Sequence, residues 1–249
     1  MNHHFNYLLQ LGDNALILGQ RLSEWCGHGP ILEQDIAITN IALDLMGQAR
    51  TWLDFAAKKP GEGKDEDQLA FLRDVHQYRN LLLLEQPNTD FAFTIVRQFL
   101  FDSFNYYLHE ALCESEDEDI RAVAQKSLKE ITYHLRYSSE WMIRLGDGTV
   151  ISHQKTQTAL DELWRFSGEC FISEATDVWA KSQNIGPDLS AIKIKTAVKR
   201  TAIIAEARLT HPEDTYMQNG GKRGIHTEHL GFMLTDMQWL QRTHPGAKW

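Results

Sequence analysis

Four long stretches of this chain place apolar residues at helical spacing, and each carries one acid inside its apolar run. The acids are Asp13 in LLQLGDNALIL, Asp44 in NIALDLMGQA, Asp102 in RQFLFDSFNYYL and Glu130 in QKSLKEITYHL. Apolar residues recurring at i, i+3, i+4 and i+7 specify a helix with one buried face. An acid on such a face must be protonated, hydrogen-bonded or paired with a cation. The pattern therefore predicts an all-α fold with carboxylates at its centre.

The helical stretches run over about 5–26, stopped by Gly27-His28-Gly29-Pro30, and about 33–58, ended by Lys58-Lys59-Pro60-Gly61. A less regular one covers about 66–84 and breaks at Pro87-Asn88. The third long helix spans about 90–113, and the acidic turn ESEDED leads into a fourth at about 118–145, before Asp147-Gly148. Further helices are expected at about 153–183, 188–209 and, after the Gly-rich NGGKRG, 227–243. There is no internal repeat, low-complexity tract or Pro/Ser linker, so residues 1–249 read as a single domain.

A net charge of −9 argues against a nucleic-acid binder, which would carry a basic stripe. No apolar run approaches the ~18–20 residues of a membrane span. The first residues lack a basic region and Asp13 interrupts their apolar stretch, so a signal peptide is not expected. Cys26, Cys113 and Cys170 lie far apart, as reduced thiols of a cytoplasmic protein would.

The four acids have paired symmetry. Asp13 and Asp44 are equidistant from the Gly27–Pro30 turn, and Asp102 and Glu130 are equidistant from the ESEDED turn. In two antiparallel hairpins, with a rise of ~1.5 Å per residue, each acid would sit ~21–23 Å from its turn. All four would then share one level. That is the frame of a di-iron site in a four-helix bundle, which needs a carboxylate on each of two helices and Glu-x-x-His on the other two. The histidines are missing. Three residues after Asp44 stands Gly47, and three after Glu130 stands Tyr133. His134 is one residue late, which turns it ~100° around the helix. Without metal the acids need other partners; Lys126, Tyr133, His134 and Arg136 are the candidates near Glu130. The competing reading is a self-sufficient metalloenzyme with an irregular site built from Asp13, Asp44, Asp102, Glu130 and His134.

Other motifs carry less. His226-Thr227-Glu228-His229 lacks the i, i+4 spacing of a zincin, and Thr227 reads as a helix N-cap with Glu228 in the first turn. Asn219–Gly224 is a basic glycine-rich loop before a helix but has no Walker pattern, so it reads as a tight connector. Trp164, Phe166, Phe171 and Trp179 read as core or subunit interface.

The segments QRLSEWCGHGPILEQDIAITNIALDLMGQAR (20–50), LLLLEQPNTDFA (81–92), KEITYHLRYSSEWMIRLGDGT (129–149) and GGKRGIHTEHLGFMLTDMQWLQRTHPGAKW (220–249) resemble the C subunits of bacterial phenylacetyl-CoA 1,2-epoxidases, and the likeness covers most of the chain. The resemblance implies a ferritin-like four-helix bundle with additional C-terminal helices. It implies a chain that has lost its metal site, with Asp13, Asp44, Gly47, Asp102, Glu130 and Tyr133 as degenerate di-iron positions and with no catalytic or cofactor-binding residue. The partners it implies are a di-iron catalytic A subunit, a small B subunit and a reductase carrying FAD and a 2Fe-2S cluster. Together these use O2 and NADPH to epoxidise the ring of phenylacetyl-CoA in aerobic phenylacetate breakdown. A homodimer is expected for the chain alone, and a hetero-oligomer in the complex.

Overall fold

The computed structural model describes residues 2–59, 63–213 and 215–247, and every regular element among them is helical. In chain order the α-helices are α1 (His3–Ser23), α2 (Leu32–Ala57), α3 (Glu66–Phe71), α4 (Leu82–Glu85), α5 (Phe91–Leu112), α6 (Glu118–Gly146), α7 (Val150–Trp164), α8 (Ala175–Ser182), α9 (Leu189–Glu206) and α10 (Glu228–Thr243). Several starts are written in the sequence. Asn2, Asp65, Asp90, Asp117, Thr149 and Asp188 each accept a hydrogen bond from a backbone N–H of the first turn they precede. No helix among the described residues is long and apolar enough to cross a membrane. The three cysteines are free thiols.

Contacts gather into two compact units. One comprises Met1–Pro87, Glu174–Thr176 and Asn219–Trp249; the other comprises Asn88–Ser173 and Asp177–Gln218. The first unit is organised on the α1–α2 hairpin, against which α3 and α4 pack, with α10 against α3. The second is organised on the α5–α6 hairpin, flanked by α7 and α9. Helices α1 and α5 are buried on nearly every face, whereas α6 buries one stripe through Ile120, Val123, Ala124, Ser127, Ile131 and His134.

Two expected helices are broken, and tertiary hydrogen bonds are the reason. The stretch 66–84 leaves the helix after Phe71, makes one 3-10 turn at Val75–Gln77 and then runs extended to α4. Its backbone is claimed by α1: Arg79 N donates to Asp13 Oδ2 at 2.8 Å and Leu81 N to Asn14 Oδ1 at 2.9 Å. The stretch 153–183 divides into α7, a 3-10 turn at Glu169–Phe171 and α8. There Gln218 N bonds to Arg165 O at 2.7 Å and Arg200 Nη1 to Ser167 O at 3.3 Å, so carbonyls that would continue the helix are used elsewhere. The expected stop at Lys58–Gly61 falls partly outside the described residues; α2 ends at Ala57 with Lys58 as its cap.

The hairpin registers also differ from expectation. A Cβ built on Gly12 would lie 2.9 Å from Leu53 Cδ2, one on Gly19 3.3 Å from Leu45 Cβ, and one on Gly29 2.7 Å from Asp35 Cα. These pairs are centred near Leu32, not at the Gly27–Pro30 turn. Beyond Ser23 the chain keeps turning, through Trp25 N to Leu22 O, Cys26 N to Ser23 O and His28 N to Trp25 O. The reversal comes later, at Gly29, whose N–H donates to the Asp35 carboxylate at 2.9 Å and helps hold it below the usual carboxylate range. Asp13 is therefore level with Thr51 and Trp52, about two turns or ~10 Å from the level of Asp44.

Candidate functional site

Asp13, on α1, is fully buried. Arg73 grips both its oxygens, Nη1 at 2.9 Å from Oδ2 and Nη2 against Oδ1. With the Arg79 N–H also on Oδ2, the carboxylate is fully engaged. Arg73 is itself held: its Nε donates to Leu69 O, its Nη1 to Gln77 O at 3.1 Å, and its guanidinium lies 4.1 Å from the Tyr78 ring centre. Burial pushes the Tyr78 hydroxyl up to about 12, so it stays a donor, to Ala70 O at 2.5 Å. Gln238 of α10 closes the cluster by donating to Arg73 O and Tyr78 Oη, each at 2.9 Å. A guanidinium in bidentate contact occupies the place a metal cation would need.

Asp102, on α5, is 1% exposed and lies in the other unit. Gln98 Nε2 donates to Oδ1 at 2.7 Å and Ser138 Oγ to Oδ2 at 2.8 Å. Burial pushes its pKa up to about 6, against the pull of His134 and of the two hydrogen bonds. The α6 residues acting on Asp102 are thus His134 and Ser138, one to two turns beyond Glu130. The expected level pairing of Asp102 with Glu130 is displaced because turns at Glu114 and Ser115 prolong α5 past Leu112.

None of the remaining positions is fully buried. Asp44 and Glu130 are half-buried, Gly47 is exposed and Tyr133 is 41% exposed. A Cβ on Gly47 would meet nothing within 4 Å. The one-residue offset noted in the sequence has the expected effect, since Tyr133 turns outward and His134 is fully buried. Two of the four acids are therefore buried, rather than all four. Among the described residues, no three His, Cys, Asp or Glu side chains converge as a metal-ligand set. With Asp13 closed by arginine and positions 47 and 133 offering no inward ligand, these residues do not fit a di-iron centre.

Sequence reasoning missed a second polar cluster. Glu85, at the end of α4, is fully buried. Its Oε1 accepts from Asn80 Nδ2 at 2.9 Å and meets His226 Nδ1 at 2.5 Å. Its Oε2 accepts from the N–H and Oγ1 of Thr227 at 2.8 and 2.6 Å. His226 Nε2 lies 3.1 Å from Tyr78 O, and Arg21 donates to Glu85 O through Nε and Nη2. Thr227 does stand at the N-cap of α10, but its hydroxyl serves Glu85 instead of capping. The signal was available, since Glu85 is an acid closing the run Leu81–Leu84, the same criterion that singled out the other four. The Asn219–Gly224 loop is the connector expected. It forms a 3-10 turn at Gly221–Arg223, and Gly224, at φ 81°, packs so closely that a Cβ would lie 2.2 Å from His76 O. Trp164 and Phe166 are buried in the second unit, and Phe171 packs edge-on against Phe104 at 5.7 Å.

Fold and site together define a class: a helical protein with acids inside its hairpins, where arginine, serine and glutamine stand against those that are buried. Comparison with known proteins gives the family. The phenylacetic acid catabolic protein family matches over residues 1–249, and the chain belongs to it. It is 49% identical, over 249 residues and 100% of both chains, to the C subunit of the 1,2-phenylacetyl-CoA epoxidase of Escherichia coli (strain K12).

Proposed function

We propose that this chain is the non-catalytic C subunit of a multicomponent 1,2-phenylacetyl-CoA epoxidase, a single ferritin-like domain that supports a di-iron A subunit. In this reading the A subunit performs the chemistry, and a small B subunit and a reductase with FAD and 2Fe-2S complete an O2- and NADPH-dependent epoxidation in the cytoplasm. The observation that carries the reading is the closure of Asp13 by Arg73 in a chain 49% identical to such a subunit. A group committed to a buried arginine is not available to a metal. The full-length identity supports a shared role more than any one residue does. Large exposed apolar side chains, Leu32, Ile36 and Leu43 on α2 and Phe232 and Trp239 on α10, suit a chain that acts by docking.

The test is co-expression with the di-iron subunit, followed by size exclusion and iron analysis. The chain alone should form a homodimer without stoichiometric iron. With its partner it should co-elute as a stable complex, burying on the order of 1,200–2,000 Å² or more. A monomer that does not co-purify with the iron-bearing subunit, or two tightly bound irons in the isolated chain, overturns the reading.

A further inference from the structure

From Glu33 to Arg50 the exposed residues of α2 are Glu33, Ile36, Asn40, Leu43, Gly47 and Arg50. They follow one another in alternating steps of three and four, the spacing of a seam along which two helices interlock. A solvent-facing stripe is ordinarily polar and charged along its length. This one carries charge only at its two ends, and the ends are opposite in sign. Between them, apart from Asn40, it is apolar or bare. Ile36 is 51% and Leu43 64% exposed, and a Cβ added to Gly47 would meet nothing within 4 Å. Leu32, at 72% exposure, extends the apolar surface towards the start of the helix.

The charges decide what fits it. Glu33 makes no hydrogen bond or ion pair among the described residues. Arg50 reaches Glu66 only at a loose 3.8 Å, with its side chain 78% exposed. A stripe acidic at one end and basic at the other complements itself when run antiparallel. Two copies related by a two-fold axis passing between Ile41 and Ala42 would set Glu33 against Arg50 of the second copy, Ile36 beside Gly47 and Asn40 beside Leu43, each pair occurring twice. The half-buried flanks agree: Asp44 comes opposite Ala37 and Met46 opposite Thr39, so no like charges meet. The two Asn40 side chains would stand ~4.5 Å apart along the helix direction. A polar pair in an apolar seam specifies register. A parallel pair would instead set Glu33 on Glu33 and Arg50 on Arg50.

We propose that α2 is the surface on which this chain self-associates, as an antiparallel α2–α2 pair across a two-fold axis with Glu33 and Arg50 closing its ends. The proposal rests on the reading that the chain alone is a dimer, and adds the face, the direction and the register.

Crosslinking of the full-length chain with a short bismaleimide tests it, in a Cys26→Ser/Cys113→Ser background. Glu33→Cys/Arg50→Cys should give a covalent dimer. Neither single variant should, because like positions lie ~25 Å apart in the antiparallel pair. The two cysteines of one chain are equally far apart, so the product joins two chains. In sedimentation, Glu33→Arg and Arg50→Glu should each raise the dimer dissociation constant about tenfold, and together restore it to within about threefold. Leu43→Glu should give a monomer of unchanged helix content. Crosslinking of the single variants shows a parallel pair and overturns the proposal. A dimer that survives Leu43→Glu, or that neither charge reversal weakens, also overturns it, and leaves the proposed function standing with dimerisation on another face. A wild-type monomer overturns it too. If that monomer co-elutes with the iron-bearing subunit and its position-33 and position-50 cysteines become shielded there, the face belongs to that subunit.

Discussion

A buried acid is defined by what stands against it, and Asp13 and Asp102 show two different solutions. Asp13 has a full charge opposite it. Arg73→Met would leave that carboxylate uncompensated and should destabilise the chain by about 3–5 kcal/mol. Asp13→Leu combined with Arg73→Met should recover most of the loss, and urea unfolding of the three proteins checks this. Asp102 has only hydrogen bonds and an imidazole, and its pKa near 6 exceeds the unfolded value of 3.8. The native state therefore holds the proton more tightly, so this residue's contribution to stability falls as pH rises from about 4 to 6 and is constant above. Asp102→Asn should remove that slope. The unfolding midpoint of the wild type relative to the variant should decline across the window by a few kcal/mol equivalent, and a flat difference would refute the assignment. Gly47 faces open space on a helix, so Gly47→Ala should stabilise the isolated chain by about 0.5–1 kcal/mol through backbone entropy, as a thermal midpoint will show.

At the scale of elements, most helices were legible because their starts carry capping side chains and their faces carry apolar period. What periodicity could not show was competition from elsewhere in the chain. The stretch Leu72–Leu81 has acceptable helix formers, yet Asp13 and Asn14 offer its N–H groups better-buried acceptors. Reading from the turns placed the acids on a common level, but it assumed that a Gly-rich run is where the chain reverses. Helical turns continuing past Ser23 shifted the α1–α2 register by two turns, a displacement no composition signals. Burial of Asp13 and Asp102 was foreseen; their partners, from sixty and thirty-six residues away, were not. Close packing makes the α6–α9 contact a sensitive one: a Cβ on Gly146 would lie 2.3 Å from Ala207 O. Gly146→Ala should destabilise by on the order of 1–3 kcal/mol in urea unfolding, opposite in sign to Gly47→Ala.

At the scale of the whole molecule, the proposed role implies that chemistry is insensitive to this chain's acids. Asp44→Asn should leave turnover per iron of the reconstituted complex nearly unchanged. A loss of ~100-fold with assembly intact would place this chain in the chemical step. The Glu85 cluster bears on a different question, the order in which the chain is made. Glu85 leaves the ribosome early, whereas His226 and Thr227, which hold both its oxygens, emerge only after the whole second unit. At translation rates of about 5–20 residues per second, that interval lasts roughly 7–28 s. Through it the first unit carries a carboxylate with no imidazole or hydroxyl to receive it, so that unit cannot close as it is synthesised. The later-encoded middle of the chain is the part able to fold first, and the nascent first unit is where a chaperone would have the longest window to bind.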